Sequence, residues 1–217
     1  MQNTVIINLS PRQKGTSDVI ANLCKDYLVS KNHKVDYFHL YTNLNKLERI
    51  YDSINQADTI IMSGPSYINC FPADTTALLQ GILSEQRILH GQKLYGIIQG
   101  GMPYAHTHCQ GLKTLELFSK EASIQYKGGF VLGFGAILNG RPLDKHPFAK
   151  KVVKQFNLFL NHVEKGETSP NSVYEKIEPK IPVILARIMV KGMNKKIEKE
   201  ANSKGIYDKK YSPYLYE

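Results

Sequence analysis

The sequence predicts an α/β protein built on a doubly wound, five-stranded parallel sheet, with a C-terminal helical extension. Three observations carry that prediction. Short apolar runs alternate five times with helical patterns, which places helices over both faces of a parallel sheet. The strand runs are apolar through their middles, as strands covered on both faces must be. The first run breaks into a polar, cationic loop that leads into a helix, the turn at which open α/β sheets commonly bind a nucleotide-like ligand. Right-handed crossovers then give the strand order 2-1-3-4-5, in which the carboxyl ends of strands 1, 3 and 4 lie side by side.

Each element follows from its own pattern. Residues 4–9 read as the first strand and 18–30 as a helix, with Val19, Ile20, Leu23, Tyr27 and Leu28 on one face. Residues 34–40 are the second strand and 44–56 the next helix, with Leu47, Ile50, Tyr51 and Ile54 inward. Strand 3 covers 58–63, followed by a helix over 73–83. Strand 4 covers 93–99, with a helix over 110–122, and strand 5 covers 126–132. A long helix over 145–163 carries Phe148, Val152, Val153, Phe156, Phe159 and Leu160. Residues 1–164 thus form the main domain. Residues 165–217 divide into a linker over 165–179, an amphipathic helix over 181–197 and an irregular tail over 207–217 with four tyrosines.

The 217 residues are enough to bury a sizeable core, and 42% hydrophobic with 22% charged residues is ordinary for a soluble globular chain. No apolar run reaches the length of a membrane span, and no secretory signal precedes the first strand. Cys24, Cys70 and Cys109 are odd in number and form no CxxC pair, which argues for a reducing compartment, the cytoplasm, and against zinc or iron–sulfur clusters. The net charge is +9. Residues 1–164 hold 17 Lys and Arg against 12 Asp and Glu, and the remainder holds 11 against 7. The excess is spread out and lacks a basic stripe with interleaved aromatics, so nucleic acid is not the expected partner. A basic surface also steers phosphate-bearing small molecules.

Three loops carry the chemistry. In the first, Ser10-Pro11-Arg12-Gln13-Lys14-Gly15-Thr16-Ser17, hydroxyls and backbone N–H groups donate, Arg12 and Lys14 supply charge, and the following helix turns its positive end toward an anion. Its single glycine fits neither a P-loop nor a dinucleotide fingerprint. The plain alternative is a polar turn with Thr16 or Ser17 as N-cap. The second loop, 63–72, is rich in Gly, Pro and aromatics, which give a flat ligand rigid walls; Ser66 and Asn69 offer hydrogen bonds to a ring edge. The third, 99–109, opens with Gly100-Gly101, whose backbone can approach a ligand closely. Its His106, His108 and Cys109 suggest a metal, but no fourth ligand stands at a sensible spacing. Together the loops outline a site for a phosphorylated flat cofactor, and flavin mononucleotide (FMN) fits.

Asn8 to Arg12 with Gly15-Thr16-Ser17 resembles the phosphate loop of the flavodoxin-like NAD(P)H-dependent FMN reductases and quinone reductases. Gly64-Pro65-Ser66-Tyr67 through Phe71-Pro72-Ala73 resembles their flavin-ring loop, and Gly100-Gly101 falls where their second ring loop lies. The resemblance spans about residues 4–163. It implies noncovalent FMN, NADH or NADPH as co-substrate, and a quinone, flavin, nitro or azo compound as the small-molecule electron acceptor. It implies that Ser10, Arg12, Lys14, Thr16 and Ser17 hold the phosphate. Pro65, Ser66, Tyr67, Ile68 and Asn69 would line the ring, and Gly100, Gly101 and Tyr104 would close its other side. No catalytic side chain is expected, because the hydride chemistry belongs to the flavin. Relatives often form homodimers, so a homodimer is the expected assembly. Leu9 stands where relatives usually carry glycine. The alternatives are a flavodoxin-type electron carrier, against which the basic charge argues, and a non-enzymatic flavodoxin-like binding protein. The C-terminal helix is read first as packing on its own domain or a second subunit, and second as lying on an anionic membrane surface.

Overall fold

The computed structural model describes residues 2–85 and 89–205. It divides into two compact units, Met1–Glu178 and Pro179–Glu217. In the first unit β1 (Asn3–Asn8) leads to α1 (Thr16–Ser30) and β2 (Lys34–His39). Two short 3-10 turns precede α2 (Leu47–Gln56), which is therefore shorter than the helix expected over 44–56. Then follow β3 (Thr59–Pro65), α3 (Ala73–Ser84), β4 (Lys93–Gln99), α4 (Gln110–Glu121) and β5 (Gln125–Leu132). The one-turn helix α5 (Gly135–Leu138), a 3-10 turn at Leu143–Lys145, α6 (Ala149–Lys165) and the short α7 (Ser172–Glu175) complete the unit.

All strand pairs are parallel and the order is β2-β1-β3-β4-β5, as the five alternating runs require. β3 is buried along its whole length and continues through Gly64 and Pro65, two residues beyond the strand expected over 58–63. Pro65 closes the strand, where the missing N–H of proline costs little.

Alternation along β4 and β5 shows how the two helical layers seat. Tyr95 and Phe130 face α6, where Tyr95 meets Phe159 edge-on and Phe130 packs against Phe156 and Phe159. Their neighbours Gly96 and Gly129 face α4, and a Cβ at Gly96 would come within 2.7 Å of both Leu112 and Leu115. The two glycines thus let α4 sit close to the sheet. α6 returns to the α1 face rather than joining the other later helices: Tyr27 of α1 donates to Glu164 of α6.

Residues 165–178 do not form a linker. Ser169 N–H donates to the Lys127 carbonyl of β5 at 2.8 Å, the Tyr95 hydroxyl donates to the Glu167 carbonyl at 2.8 Å, and Val173, Tyr174 and Ile177 are buried. The compact unit therefore extends past residue 164 to Glu178.

The second unit contains α8 (Val183–Ser203), longer than the helix expected over 181–197. Ile184, Ile188, Val190, Met193 and Ile197 are exposed. The side chains of Leu185 and Met189 and the tail over 207–217 lie outside the described residues. No described helix is long and apolar enough to cross a membrane.

Candidate functional site at the carboxyl edge of the sheet

The first loop is set by Asn8, the wholly buried last residue of β1. Its amide oxygen accepts from Ser10 N–H at 3.0 Å. Its amide nitrogen donates to Asp18 at 3.2 Å and to the Tyr37 hydroxyl at 3.1 Å, and Tyr37 donates to the same Asp18 oxygen. Burial, and then the Asp18 carboxylate, push the Tyr37 phenol well above its ordinary range. One side chain thus ties the loop to β2 and to the first turn of α1. Leu9 is fully buried, and its Cβ occupies the space left by Gly64: a Cβ on Gly64 would stand 2.9 Å from it. The room that a glycine at position 9 would give is supplied instead by the glycine on β3.

Beyond Leu9 the loop turns on Ser10, whose hydroxyl accepts from Arg12 N–H at 3.1 Å and donates to the Arg12 carbonyl at 3.0 Å. Lys14 adopts a left-handed φ of 54°. Gly15 takes the N-cap position of α1, so neither Thr16 nor Ser17 caps the helix, and the cap residue makes no side-chain hydrogen bond to it. The first N–H groups of α1 are thus presented to the loop without a side-chain acceptor, beside the exposed Arg12 and Lys14. Backbone donors, a helix N-terminus and two cations are the donor set a phosphate monoester requires.

The hydroxyls at 16 and 17 have protein partners. Thr16 donates to the Gly135 carbonyl at 2.9 Å, and Ser17 accepts from Gln99 Nε2 at 3.3 Å, which leaves its own proton to donate. The Thr16 hydroxyl thus holds the loop to Gly135.

The second loop leaves β3 after Pro65. Ser66 N–H donates to the Gln99 carbonyl at 2.7 Å. Tyr67 and Cys70 exchange two backbone hydrogen bonds around Ile68 and Asn69, both at positive φ (50° and 65°). This is the geometry of a type I′ turn, which favours Asn and Gly. Ile68 is β-branched and fully exposed, so the strain at its backbone is not offset by burial of its side chain. Asn69 fastens the turn to the third loop: its oxygen accepts from Gln110 N–H and its nitrogen donates to the His106 carbonyl, both at 3.3 Å.

The third loop begins with Gly100, which donates to the Leu132 carbonyl at 3.1 Å. A Cβ at Gly100 would stand 2.2 Å from the buried His108 ring, so the glycine lets that imidazole pack flush against the backbone. His108 Nε2 donates to the Met102 carbonyl at 2.9 Å and closes the loop on itself. Gly101 is exposed, and Tyr104 stacks on His106 with centroids 5.6 Å apart. Among the described residues no three His, Cys, Asp or Glu side chains converge to hold a metal ion.

A fourth segment, 133–142, outside the three loops expected from the sequence, completes the edge. Asn139 accepts from Arg12 Nη1 at 2.6 Å, and Gly135 accepts from Thr16. Gly140 has φ +84°, and a Cβ there would lie 2.3 Å from the Lys14 carbonyl. His146 anchors the segment by donating from Nε2 to the Gly133 carbonyl at 2.9 Å and accepting Phe148 N–H at 3.1 Å. The Asn139-Gly140 pair, a common turn dipeptide, is the signal from which this wall was readable.

The edge thus gathers Ser10, Arg12, Lys14, Thr16 and Ser17 at one end, and the loops bearing Pro65 to Asn69 and Gly100, Gly101 and Tyr104 beside them. Ser63 Oγ and Gln99 Oε1, near the ends of β3 and β4, are buried without a hydrogen-bond partner. An anion-binding end next to aromatic and glycine-bearing loops suits FMN.

No protein-family model and no curated protein matches the sequence. Solved structures do match in shape. An NADH:FMN oxidoreductase in its apo form aligns over 85% of this chain and 99% of its own, with TM-score 0.62 and 18% identity. A short-chain flavodoxin associated with a bacterial microcompartment aligns over 76% and 99%, with TM-score 0.56 and 14% identity. An FMN-dependent NADH-azoreductase from Bacillus anthracis, solved with FMN, aligns over 78% and 100%, with TM-score 0.55 and 14% identity. With the strand order and the two helical layers described above, these likenesses establish that the chain has the flavodoxin-like fold.

Proposed function

We propose that this protein is an FMN-dependent NAD(P)H oxidoreductase that passes hydride from NADH or NADPH to a quinone, flavin, nitro or azo acceptor. The observation that carries the reading is the start of α1, capped by Gly15 with no side-chain acceptor, beside Arg12 and Lys14 and next to the loops after β3 and β4. Bound FMN supplies the redox chemistry. The chain's residues bind and orient. Ser10, Ser17, Arg12, Lys14 and the backbone N–H of Thr16 hold the phosphate. Pro65, Ser66, Tyr67, Ile68 and Asn69 would form one wall for the ring; Gly100, Gly101 and Tyr104 would form the other. The similarity in shape to an NADH:FMN oxidoreductase and an NADH-azoreductase supports the reading.

A flavodoxin-type carrier is the second reading, favoured by the similarity to a short-chain flavodoxin. The net charge of +9 weighs against it, since carriers of this fold are typically acidic. The deciding experiment loads the purified chain with FMN and adds NADH or NADPH without oxygen. Rapid bleaching of the visible flavin band, reversed by a quinone, nitro or azo compound, supports the reductase. Bleaching only by dithionite or a partner protein favours the carrier, and failure to bind FMN removes both.

A further inference from the structure

Gln99, the last residue of β4, joins the segments that build the candidate site. In the sheet it lies between Pro65 of β3 and Leu132 of β5. Its carbonyl accepts from Ser66 N–H, at the start of the second loop, at 2.7 Å. Its neighbour Gly100 leads into the third loop. Its side chain turns to the first loop, where Nε2 donates to Ser17 Oγ at 3.3 Å. A Cβ on Gly135, in the fourth segment, would stand 2.5 Å from Gln99 Oε1, so that glycine makes the room in which the amide lies.

Only half of this amide is used. Gln99 is 8% exposed, and its Oε1 accepts from no donor among the described residues. A buried acceptor without a donor destabilises the fold, so a contact that served the fold alone is better made by apolar groups. The half that is used has a definite polarity. An amide nitrogen only donates, so the Ser17 oxygen is the acceptor and the hydroxyl keeps its proton to give. Ser17 stands in the first turn of α1 and is 1% exposed, so bulk water does not compete for that proton.

We propose that Gln99 is a positioning residue for phosphate binding: its amide holds the Ser17 hydroxyl as a donor to the anion at the start of α1. The inference rests on the FMN reading above and adds to it a residue 82 positions from the phosphate loop. A phosphate dianion offers acceptors only. A hydroxyl held from behind by a donor presents it with an O–H whose direction is set before the anion arrives. A hydroxyl held from behind by an acceptor presents it with a lone pair. A carboxylate in place of the amide therefore acts in the opposite sense: it takes the Ser17 proton and sets a second negative charge behind the phosphate. The isoalloxazine ring has no share in this bond, so the effect is confined to ligands that carry the phosphate.

The test titrates FMN, and riboflavin in parallel, against the full-length chain by flavin fluorescence, with circular dichroism as a check on folding. Ser17→Ala weakens FMN by ~10-fold and leaves riboflavin unchanged. Gln99→Met, which keeps the length of the side chain, weakens FMN by roughly 3- to 10-fold, again without effect on riboflavin. Gln99→Glu weakens FMN further than Gln99→Met. With Ser17→Ala already in place, Gln99→Met brings no additional loss, because the amide acts through that hydroxyl. A loss in the double variant equal to the sum of the two single losses overturns the proposal. So do FMN affinities unchanged in the Gln99 variants, or equal losses of FMN and riboflavin. Gln99→Met carries the test if the buried carboxylate of Gln99→Glu unfolds the chain. Any of these results beside a wild type that binds FMN rejects the role of Gln99 alone. A wild type that binds no FMN rejects the FMN reading, and this inference with it.

Discussion

At one end of the candidate site, around residues 8–17, five polar side chains are fastened: those of Asn8, Ser10, Arg12, Thr16 and Ser17. Asn8 holds Ser10, Asp18 and Tyr37, Thr16 holds Gly135, and Arg12 reaches Asn139. At the other end, around 66–70, a two-residue turn projects a fully exposed Ile68 at positive φ, and Asn69 ties it to the neighbouring loop through side-chain bonds. A compact charged group is best met by donors fixed before it arrives, since their ordering cost is then already met in folding. A broad, flat group needs shaped walls and room to enter. The two ends follow those two requirements.

The largest expected effect comes from breaking the fastened end at its tightest point. Gly140→Ala places a Cβ against the Lys14 carbonyl at a φ of +84°, at a cost of ~3 kcal/mol. The expected outcome is a Tm lower by roughly 5–10 °C, with FMN bound at least ~10-fold more weakly. An unchanged Tm by calorimetry contradicts the close approach of the two loops.

Arg12→Ala separates the two ends more finely. Loss of a charge-assisted contact to phosphate costs ~1.5–3 kcal/mol, or roughly 10–100-fold in FMN affinity. Riboflavin, which lacks the phosphate, should bind Arg12→Ala and the wild type alike in a fluorescence titration. Tyr67→Ala should weaken both ligands together. Equal losses of FMN and riboflavin in Arg12→Ala mean that the two ends are not separate.

A pH dependence sharpens the picture of the fastened end. Burial holds His146 below its ordinary pKa of 6.5. The unfolded chain therefore binds a proton more readily than the fold does, so stability from this residue is full above about pH 6.5 and falls as the solution is acidified. Protonation at Nδ1 also removes the acceptor for Phe148 N–H. Denaturant midpoints should fall between about pH 6.5 and 5, and His146→Gln should flatten that slope. A slope unchanged in the variant assigns it to other groups.

The smallest effect tests the open end. Ile68→Asn puts a residue that tolerates left-handed backbone at the strained position, and should raise stability by ~1 kcal/mol. A lower Tm in the variant means that the isoleucine side chain has a stabilising contact elsewhere.

The sheet was legible because its signal is repetitive. Five apolar runs, each followed by a helical pattern, leave few topologies once crossovers must be right-handed. The three loops were legible because their composition is unusual. Two features were not, and each has a physical reason. The segment 133–142 contributes mostly backbone, such as the Gly135 carbonyl, and its Asn139-Gly140 pair marks a turn without marking which loop that turn will meet. Residues 165–178 have the Gly, Ser, Thr and Pro of a linker, yet Val173, Tyr174 and Ile177 recur at i, i+1 and i+4 and bury themselves. A single helical turn is too short for periodicity to stand out against that composition.

That returning segment changes what happens to the rim of the sheet. β5 is an outermost strand, and Ser169 pairs with it beside Gly128, whose backbone is approached so closely that a Cβ would lie 2.2 Å from the Ser169 carbonyl. Unpaired rim strands are templates on which other chains add. By occupying part of that ladder with its own backbone, the chain blunts a route to aggregation. Cutting it after residue 164 reopens the route, whereas ending it at residue 178 keeps the strand covered.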